Sequence, residues 1–512
     1  MSRVVVIGAG MGGLAVAARL AAQNHAVSVV ERSETHGGKV GRYECDGFAF
    51  DTGPSLLTLP AVYRDLFITT AKSRHGGALE DHVDLVPVDP AFHYRFPDGT
   101  EVDLPDASRD GAARAFDEAL GGAAAGSGRS PGQQWTALLD HAAEVWAVTR
   151  VPFLHRPLDG PATLLRNSIR LRDLRTVRPF TTLRGLGRRY LVDPRLRMLL
   201  DRYATYSGSD PRSAPAALVV VPYVEQAFGA WHVRGGLRNL ADAVHTRCVE
   251  LGVGFTFGDA VTGLTERAGR VGGVRLASGK TIAADIVVSD ADAAGLYREL
   301  MPPPFERIAS GPLRQLARST PSSSAFTLLL ALEGRTPGMR HHTVLFGPDY
   351  DAEFDALFGR DPRLPDDPTI YVCAPDDPAM RPDADHESWF VLVNAPRHRT
   401  RPGDGVDWDE PGLADRYADQ VLALLAARGI DVRDRILWRE VRTPADLERD
   451  TASPGGSIYG SSSNGARSAF LRPANRSPVP GLFLVGGSSH PGGGLPLVAL
   501  SAEIVAELIG PA

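Results

Sequence analysis

The chain is poor in the groups that build covalent or metal scaffolds. Its 512 residues hold three cysteines, Cys45, Cys248 and Cys373. They lie far apart and in no CxxC spacing, which excludes a disulfide framework, gives no sign of a zinc centre and suits a reducing cytoplasm. Lysine occurs only at 39, 72 and 280, and aromatic residues make up 7%. No run reaches the roughly 18 uninterrupted apolar residues that a spanning helix needs. Positive charge is not in excess: 55 Lys+Arg stand against 61 Asp+Glu, a formal charge of -6, so nucleic acid is not expected as a partner. The one GxSxG spacing, GRSPG at 128–132, lies in a Gly/Ala/Ser-rich stretch with no strand before it to form an elbow, and no HxxxH spacing occurs, which leaves no usual sequence sign of a hydrolase or a metalloenzyme. A chain 43% hydrophobic and 23% charged can still bury a large core over roughly three domains.

What is present is concentrated at the N-terminus. Residues 3 to 7 are a short apolar run suited to a buried parallel strand. Gly8, Gly10, Gly12 and Gly13 follow, then an Ala/Leu-rich helical stretch to Ala22 and a second apolar run, Val27 to Val30, ending at Glu31. This spacing predicts a βαβ unit that binds a dinucleotide. Gly8 permits the tight turn, Gly10 lets backbone approach a pyrophosphate, and Gly13 lets helix pack on strand. Glu31 is placed to accept hydrogen bonds from ribose hydroxyls and to repel a 2′-phosphate, which disfavours NADP. The same apolar start is not expected to be a signal peptide, because its centre is glycine-rich and Arg19 follows directly.

The fingerprint alone leaves FAD and NAD open. The next stretch, ERSETHGGKVGRYECDGFAFDTGP at 31–54, sets a second glycine pair, Gly37 and Gly38, beside the first loop, as a longer, folded-back dinucleotide would need. With these residues the chain resembles the FAD-dependent amine oxidase and phytoene desaturase superfamily, and within it the bacterial-type carotenoid desaturases. Further segments in the same order carry the resemblance: WHVRGGLRNLADA at 231–243, SGKTIAADIVVSDADAAGLYREL at 278–300, HHTVLF at 341–346 and GLFLVGGSSHPGGGLPLVALSAEIVAELI from Gly481.

The resemblance implies an α/β (α+β) fold. It comprises a Rossmann-like FAD-binding domain of the glutathione-reductase/amine-oxidase type, a mixed-sheet substrate domain and a helical membrane-facing subdomain. The FAD domain would be discontinuous, from 1–100, 226–300 and 476–512. Residues 106–224 would be helical, interrupted by a loop at 121–134 and a proline-containing stretch at 152–161, and 301–475 would supply a substrate-binding sheet. FAD contacts are implied at Gly8, Gly10, Gly13, Glu31, Arg32, Gly38, Lys39, Gly53, Pro54, Val261, Asp290, Gly486, Gly487 and Val498. Gly487 departs from the Gly-Asp pair common among flavoproteins, so no carboxylate is expected there.

The implied activity is desaturation of an acyclic carotenoid, with hydride transfer to flavin and oxygen or a quinone as terminal acceptor. Such chemistry leaves little signature in acid/base motifs. His490, Arg202 and His342 are the candidates for a polar role near the flavin, and no metal is expected. The closing loop leans toward desaturases of hydroxylated carotenoids, such as a hydroxycarotenoid 3,4-desaturase. A carotenoid isomerase or saturase shares the same motifs. An amine oxidase would commonly line its flavin with paired aromatics, which this loop lacks, and a lipid escort protein would not need the flavin segment. Between Arg166 and Arg197 ten Arg and two Asp interleave with apolar residues. That pattern suits a peripheral contact with an anionic inner membrane as readily as a solvated face.

Overall fold

The computed structural model describes residues 1–71, 77–121, 128–158, 163, 171–399, 401, 403–465 and 472–512. Part of the expected 121–134 loop, and Arg166 and Arg170 of the basic stretch, fall outside these residues.

Three separated parts of the chain build one parallel sheet. Its five strands run in the order Leu482–Leu484, Ile286–Ser289, Arg3–Ile7, Ala26–Val30 and Gly254–Thr256. Val4 to Ile7 pair with Ile286 to Ser289 on one side and Val27 to Val30 on the other. Strands covered on both faces read as continuous apolar runs, and Val4, Val5, Val6, Val29, Val287 and Val288 are accordingly buried. Helices Met11–Ala22, Arg238–Glu250 and Leu495–Ile509 close one face, joining Leu14, Leu20, Leu240, Val244, Ala499 and Val505 in one core. The other face carries the antiparallel strands Val261–Arg267, Arg270–Leu276 and Thr281–Ala283.

A second, mixed sheet of seven strands stands apart. Its order is Ile436–Arg442, Ser324–Glu333, His386–Ala395, Ile370–Cys373, His342–Leu345, Phe92–Arg95 and Glu101–Leu104. The sequence runs SAFTLLLAL, HHTVLF, TIYVCA and SWFVLVNAP, at 324–332, 341–346, 369–374 and 388–396, are rich in strand-forming residues and all contribute to it. The Phe92–Arg95 strand, although it lies within the 1–100 segment, pairs in parallel with His342–Leu345, because Phe92 and Tyr94 bury one face against the helical part of the chain. That part includes Arg109–Leu120, Pro131–Thr149, Leu183–Tyr190 and Pro194–Arg202. Pro152 does not end the long helix: the chain continues as a wider helical turn over Arg150–Leu154. Among the described residues no helix is long and apolar enough to cross a membrane.

Candidate functional site

The site begins at the carboxyl end of the first strand, where the chain must turn sharply into the Met11–Ala22 helix. Gly8 has φ +96°, and a Cβ on Gly13 would stand 2.1 Å from the Gly8 carbonyl oxygen. Only glycine satisfies both positions. Gly10 begins the helix with no side-chain cap, so the amide groups of the first turn face outward with the positive end of the helix dipole. The Asp290 carboxylate lies against this turn and accepts from the Gly10 and Gly13 N–H groups. Its oxygens are 2.5 Å from where a Cβ on Gly10 or Gly12 would be, and 2.1 Å from one on Gly486. Burial, aided by Glu31, pushes the Asp290 carboxyl up to about 8.

Glu31 ends the second strand and is buried. Its Oε2 accepts the Ala9 N–H at 2.7 Å and its Oε1 the Ser33 N–H at 2.8 Å, which leaves lone pairs for a ribose. The second glycine pair folds onto the first loop: Gly37 N–H donates to Ala9 O at 2.8 Å, and a Cβ on Gly38 would stand 3.1 Å from Gly10 Cα. Lys39 donates to Ser457 O at 3.0 Å and Ile458 O at 2.7 Å, and burial lowers its amine to about 8. Its carbonyl forbids any side chain at Gly53, where a Cβ would stand 1.8 Å away.

The C-terminal strand delivers Gly486 to the same place, since a Cβ on Gly12 would stand 2.9 Å from Gly486 Cα. Three bonds hold the loop behind it. Asn475 donates to His490 O at 2.8 Å, Ser501 donates to the same carbonyl at 2.8 Å, and buried Arg472 donates to Gly487 O at 3.2 Å. Gly8, Gly10, Gly12, Gly13, Gly38, Asp290 and Gly486 are thus brought together from three distant segments. The residues fit a dinucleotide: a side-chain-free wall, a helix start without a side-chain cap and a buried acid at the end of the second strand. Three residues stand differently. Arg32 is exposed and its guanidinium donates to Arg449 O. Val261 opens the outer antiparallel sheet, pairing with Leu276. Val498 is half-buried on the closing helix.

Beyond Pro54 a second polar group of side chains starts. Ser55 Oγ and Tyr371 OH are 2.7 Å apart, and Tyr371 OH and His342 Nδ1 are 2.7 Å apart. His342 is fully buried and its Nε2 has no partner among the described residues. Burial drives its imidazole well below the usual range, with His341, His232 and Arg202 adding to the effect. Arg202 is buried over four rings, its Cζ 4.9 Å from Phe92, 5.0 Å from Tyr206, 5.6 Å from Tyr94 and 6.0 Å from Tyr371. Glu225 accepts from Tyr203 OH at 2.5 Å and Tyr206 OH at 3.3 Å, and burial raises its carboxyl to about 7. The fold therefore joins His342 and Arg202 through shared aromatic rings. His490 sits instead in the C-terminal loop, its Nε2 3.0 Å from Arg156 O, and burial lowers it to about 4.

Sequence reasoning missed Ser55, Tyr371, Glu225 and the tyrosines. One signal was available: RYATY at 202–206 puts Arg202 and Tyr206 on one face of a helical turn. It also missed a convergence, for ligand-type atoms of His341, His342 and Cys373 lie within 4.8 Å of one another. The fixed charge of Arg202, close enough to depress His342, opposes a cation there.

Comparison with known proteins agrees with this geometry. The family described as flavin containing amine oxidoreductase matches residues 11–510. The chain is 33% identical to the 4,4'-diapolycopene oxygenase of a Methylomonas species, over 99% of this chain and 98% of the other. It is 34% identical to the hydroxyneurosporene desaturase of Rubrivivax gelatinosus, over 99% and 93%, and 31% identical to a 1-hydroxycarotenoid 3,4-desaturase of a Flavobacterium, over 99% of each. Among solved structures, putrescine oxidase bound to putrescine superposes with a TM-score of 0.64 at 16% identity, covering 99% of both chains. The chain belongs to the flavin-containing amine oxidoreductase family and is an FAD-dependent oxidoreductase.

Proposed function

We propose that this protein is a desaturase of acyclic carotenoids, removing two hydrogens from a saturated C–C bond next to a polyene. The observation that carries the reading is similarity along the whole chain to relatives named for carotenoid desaturation and oxygenation. The loop from Gly486 to Gly494 supports it further, since it contains no aromatic residue to cage an amine. The desaturation of a hydroxylated carotenoid is the second reading, favoured by two relatives whose names carry a hydroxyl.

FAD, when bound, supplies the acceptor for the hydride. The residues proposed to hold it are those implied by the sequence. Gly8, Gly10 and Gly13 present backbone to the pyrophosphate, Glu31 faces the ribose, and Arg32 and Val261 lie at the adenine end. Gly38, Lys39, Gly53, Pro54 and Asp290 would hold further parts of it, and Gly486, Gly487 and Val498 would meet its isoalloxazine and ribityl parts. The proposed division into FAD segments 1–100, 226–300 and 476–512, a helical 106–224 and a sheet domain 301–475 follows from that grouping, except that Phe92–Arg95 belongs with the seven-stranded sheet. Hydride loss at an allylic carbon leaves a cation spread over the polyene, and proton loss completes the double bond. His342, held neutral by burial, and His490 are candidate neighbours of that proton, and Arg202 is a candidate binding group.

A lipid-soluble substrate has to be drawn from a bilayer, so peripheral attachment to the inner membrane is part of the proposal. Phe180 supports it. This residue is 97% exposed and lies in the chain between exposed Leu174 and Arg175 on one side and exposed Arg188 and Arg189 on the other, a composition that suits an anionic surface. Oxygen or a membrane quinone would reoxidise the flavin. The test is to express the chain in a host that accumulates acyclic carotenoids and to separate its pigments. Longer-wavelength polyenes are expected, and unchanged pigment with flavin-loaded protein present would refute the reading.

A further inference from the structure

We infer that Arg202 binds an oxygen atom at the end of the carotenoid, a hydroxyl or a carbonyl, and so makes the enzyme prefer oxygen-bearing polyenes over hydrocarbons. The inference rests on the carotenoid reading above and identifies the group that would choose among such substrates.

A buried guanidinium ordinarily has a carboxylate partner. Arg202 has none within 4.0 Å among the described residues. Its neighbour in the chain, Asp201, is taken by Arg184 at 2.8 Å, and Glu225 is held by the hydroxyls of Tyr203 and Tyr206. Arg202 is 6% exposed, yet its hydrogen bonds come from one nitrogen: Nη1 donates to Tyr206 OH at 2.8 Å and to Tyr94 OH at 3.4 Å. Nε and Nη2 donate to none of the described residues. Neither nitrogen is among the fully occluded atoms without a partner, so both remain accessible to an acceptor from outside the chain, and a charged donor there favours one.

The surroundings restrict what that acceptor is. Phe92, Tyr94, Tyr206 and Tyr371 hold the cation by their ring faces and form a wall suited to an apolar body with one polar tip. Glu225 is linked to the same Nη1 through Tyr206, and a second acid close by would be repelled by it. A neutral oxygen fits better than a carboxylate or phosphate. The position is also suitable: Tyr371, one of the four rings, bonds to Ser55, which directly follows Pro54 of the proposed flavin cradle.

The experiment uses the FAD-loaded full chain on phosphatidylcholine/phosphatidylglycerol vesicles carrying either hydroxyneurosporene or its parent hydrocarbon. In each case kcat/KM for desaturation and quenching of flavin fluorescence on binding are recorded. Wild type is expected to favour the hydroxylated probe by at least about tenfold, the scale of a polar group built to be hydrogen-bonded. In Arg202→Gln that ratio is expected to fall toward one, with Arg202→Lys, which keeps one cationic donor, in between. FAD content and melting temperature identify any variant that misfolds, and Arg202→Lys then carries the comparison. An equal ratio in wild type and variants, or a wild type without preference, overturns the inference. If neither probe is turned over the desaturase reading fails by itself, and the binding ratio still decides the role of Arg202 in the same way.

Discussion

An oxygen of Asp290 lies 2.5 Å from the point where a Cβ on Gly10 would stand, so an acid directly after the Ile286–Ser289 strand occupies the approach to the glycine loop. Burial raises this carboxyl to about 8, above the 3.8 of an exposed Asp. The folded state therefore holds a proton that the unfolded chain releases. That contribution to stability is complete below 3.8 and is lost as pH rises through about 8. A bound pyrophosphate favours the same protonated form. FAD affinity is expected to fall above pH 8 by up to about tenfold per pH unit, and Asp290→Asn to flatten the profile. Flavin fluorescence titrations from pH 6 to 9 measure both, and an equally steep wild-type and variant profile would contradict the assignment.

A methyl group at position 13 has nowhere to go, because its carbon would meet the Gly8 carbonyl oxygen at 2.1 Å. Gly13→Ala should push the helix from the strand and leave the purified protein without flavin. The ratio of absorbance near 450 nm to protein absorbance reports this directly, and a yellow, flavin-saturated variant would refute it.

Tyr371 joins Ser55 to His342. In Tyr371→Phe the Nδ1 of a fully buried imidazole loses its partner, and Nε2 already has none among the described residues. The expected cost is about 1–3 kcal/mol of stability, read as a lower denaturation midpoint. An unchanged midpoint would mean that the ring alone, not the hydroxyl, matters at this place.

Phe180 is 97% exposed, so replacing it should cost the fold nothing. Phe180→Glu is expected to reduce sedimentation with anionic vesicles by roughly tenfold, about the effect of losing one buried aromatic, at unchanged melting temperature. Equal sedimentation of both proteins would place the membrane contact elsewhere.

The parts of this fold that follow local rules were legible. The strand at 3–7, the helix to Ala22 and the second strand ending at Val30 stand where hydrophobic run and glycine spacing placed them. The runs at 324–332, 341–346, 369–374 and 388–396 became strands of one sheet for the same reason. The pairing of Phe92–Arg95 with that sheet depends on a contact across more than 240 residues, which no local pattern encodes. The site divides the same way. The glycine loop is read from spacing, whereas the ring cage of Arg202 is assembled from residues at 92, 94, 206 and 371, of which only Tyr206 is close to Arg202 in the chain.

The most direct measurement is the pigment profile of a host that accumulates phytoene and a second host that accumulates a hydroxylated acyclic carotenoid, each expressing this chain with no other desaturase. New polyenes with longer-wavelength absorption in at least one host are the expected result. Unchanged pigments in both, with soluble and flavin-loaded protein, would contradict carotenoid desaturation as the function.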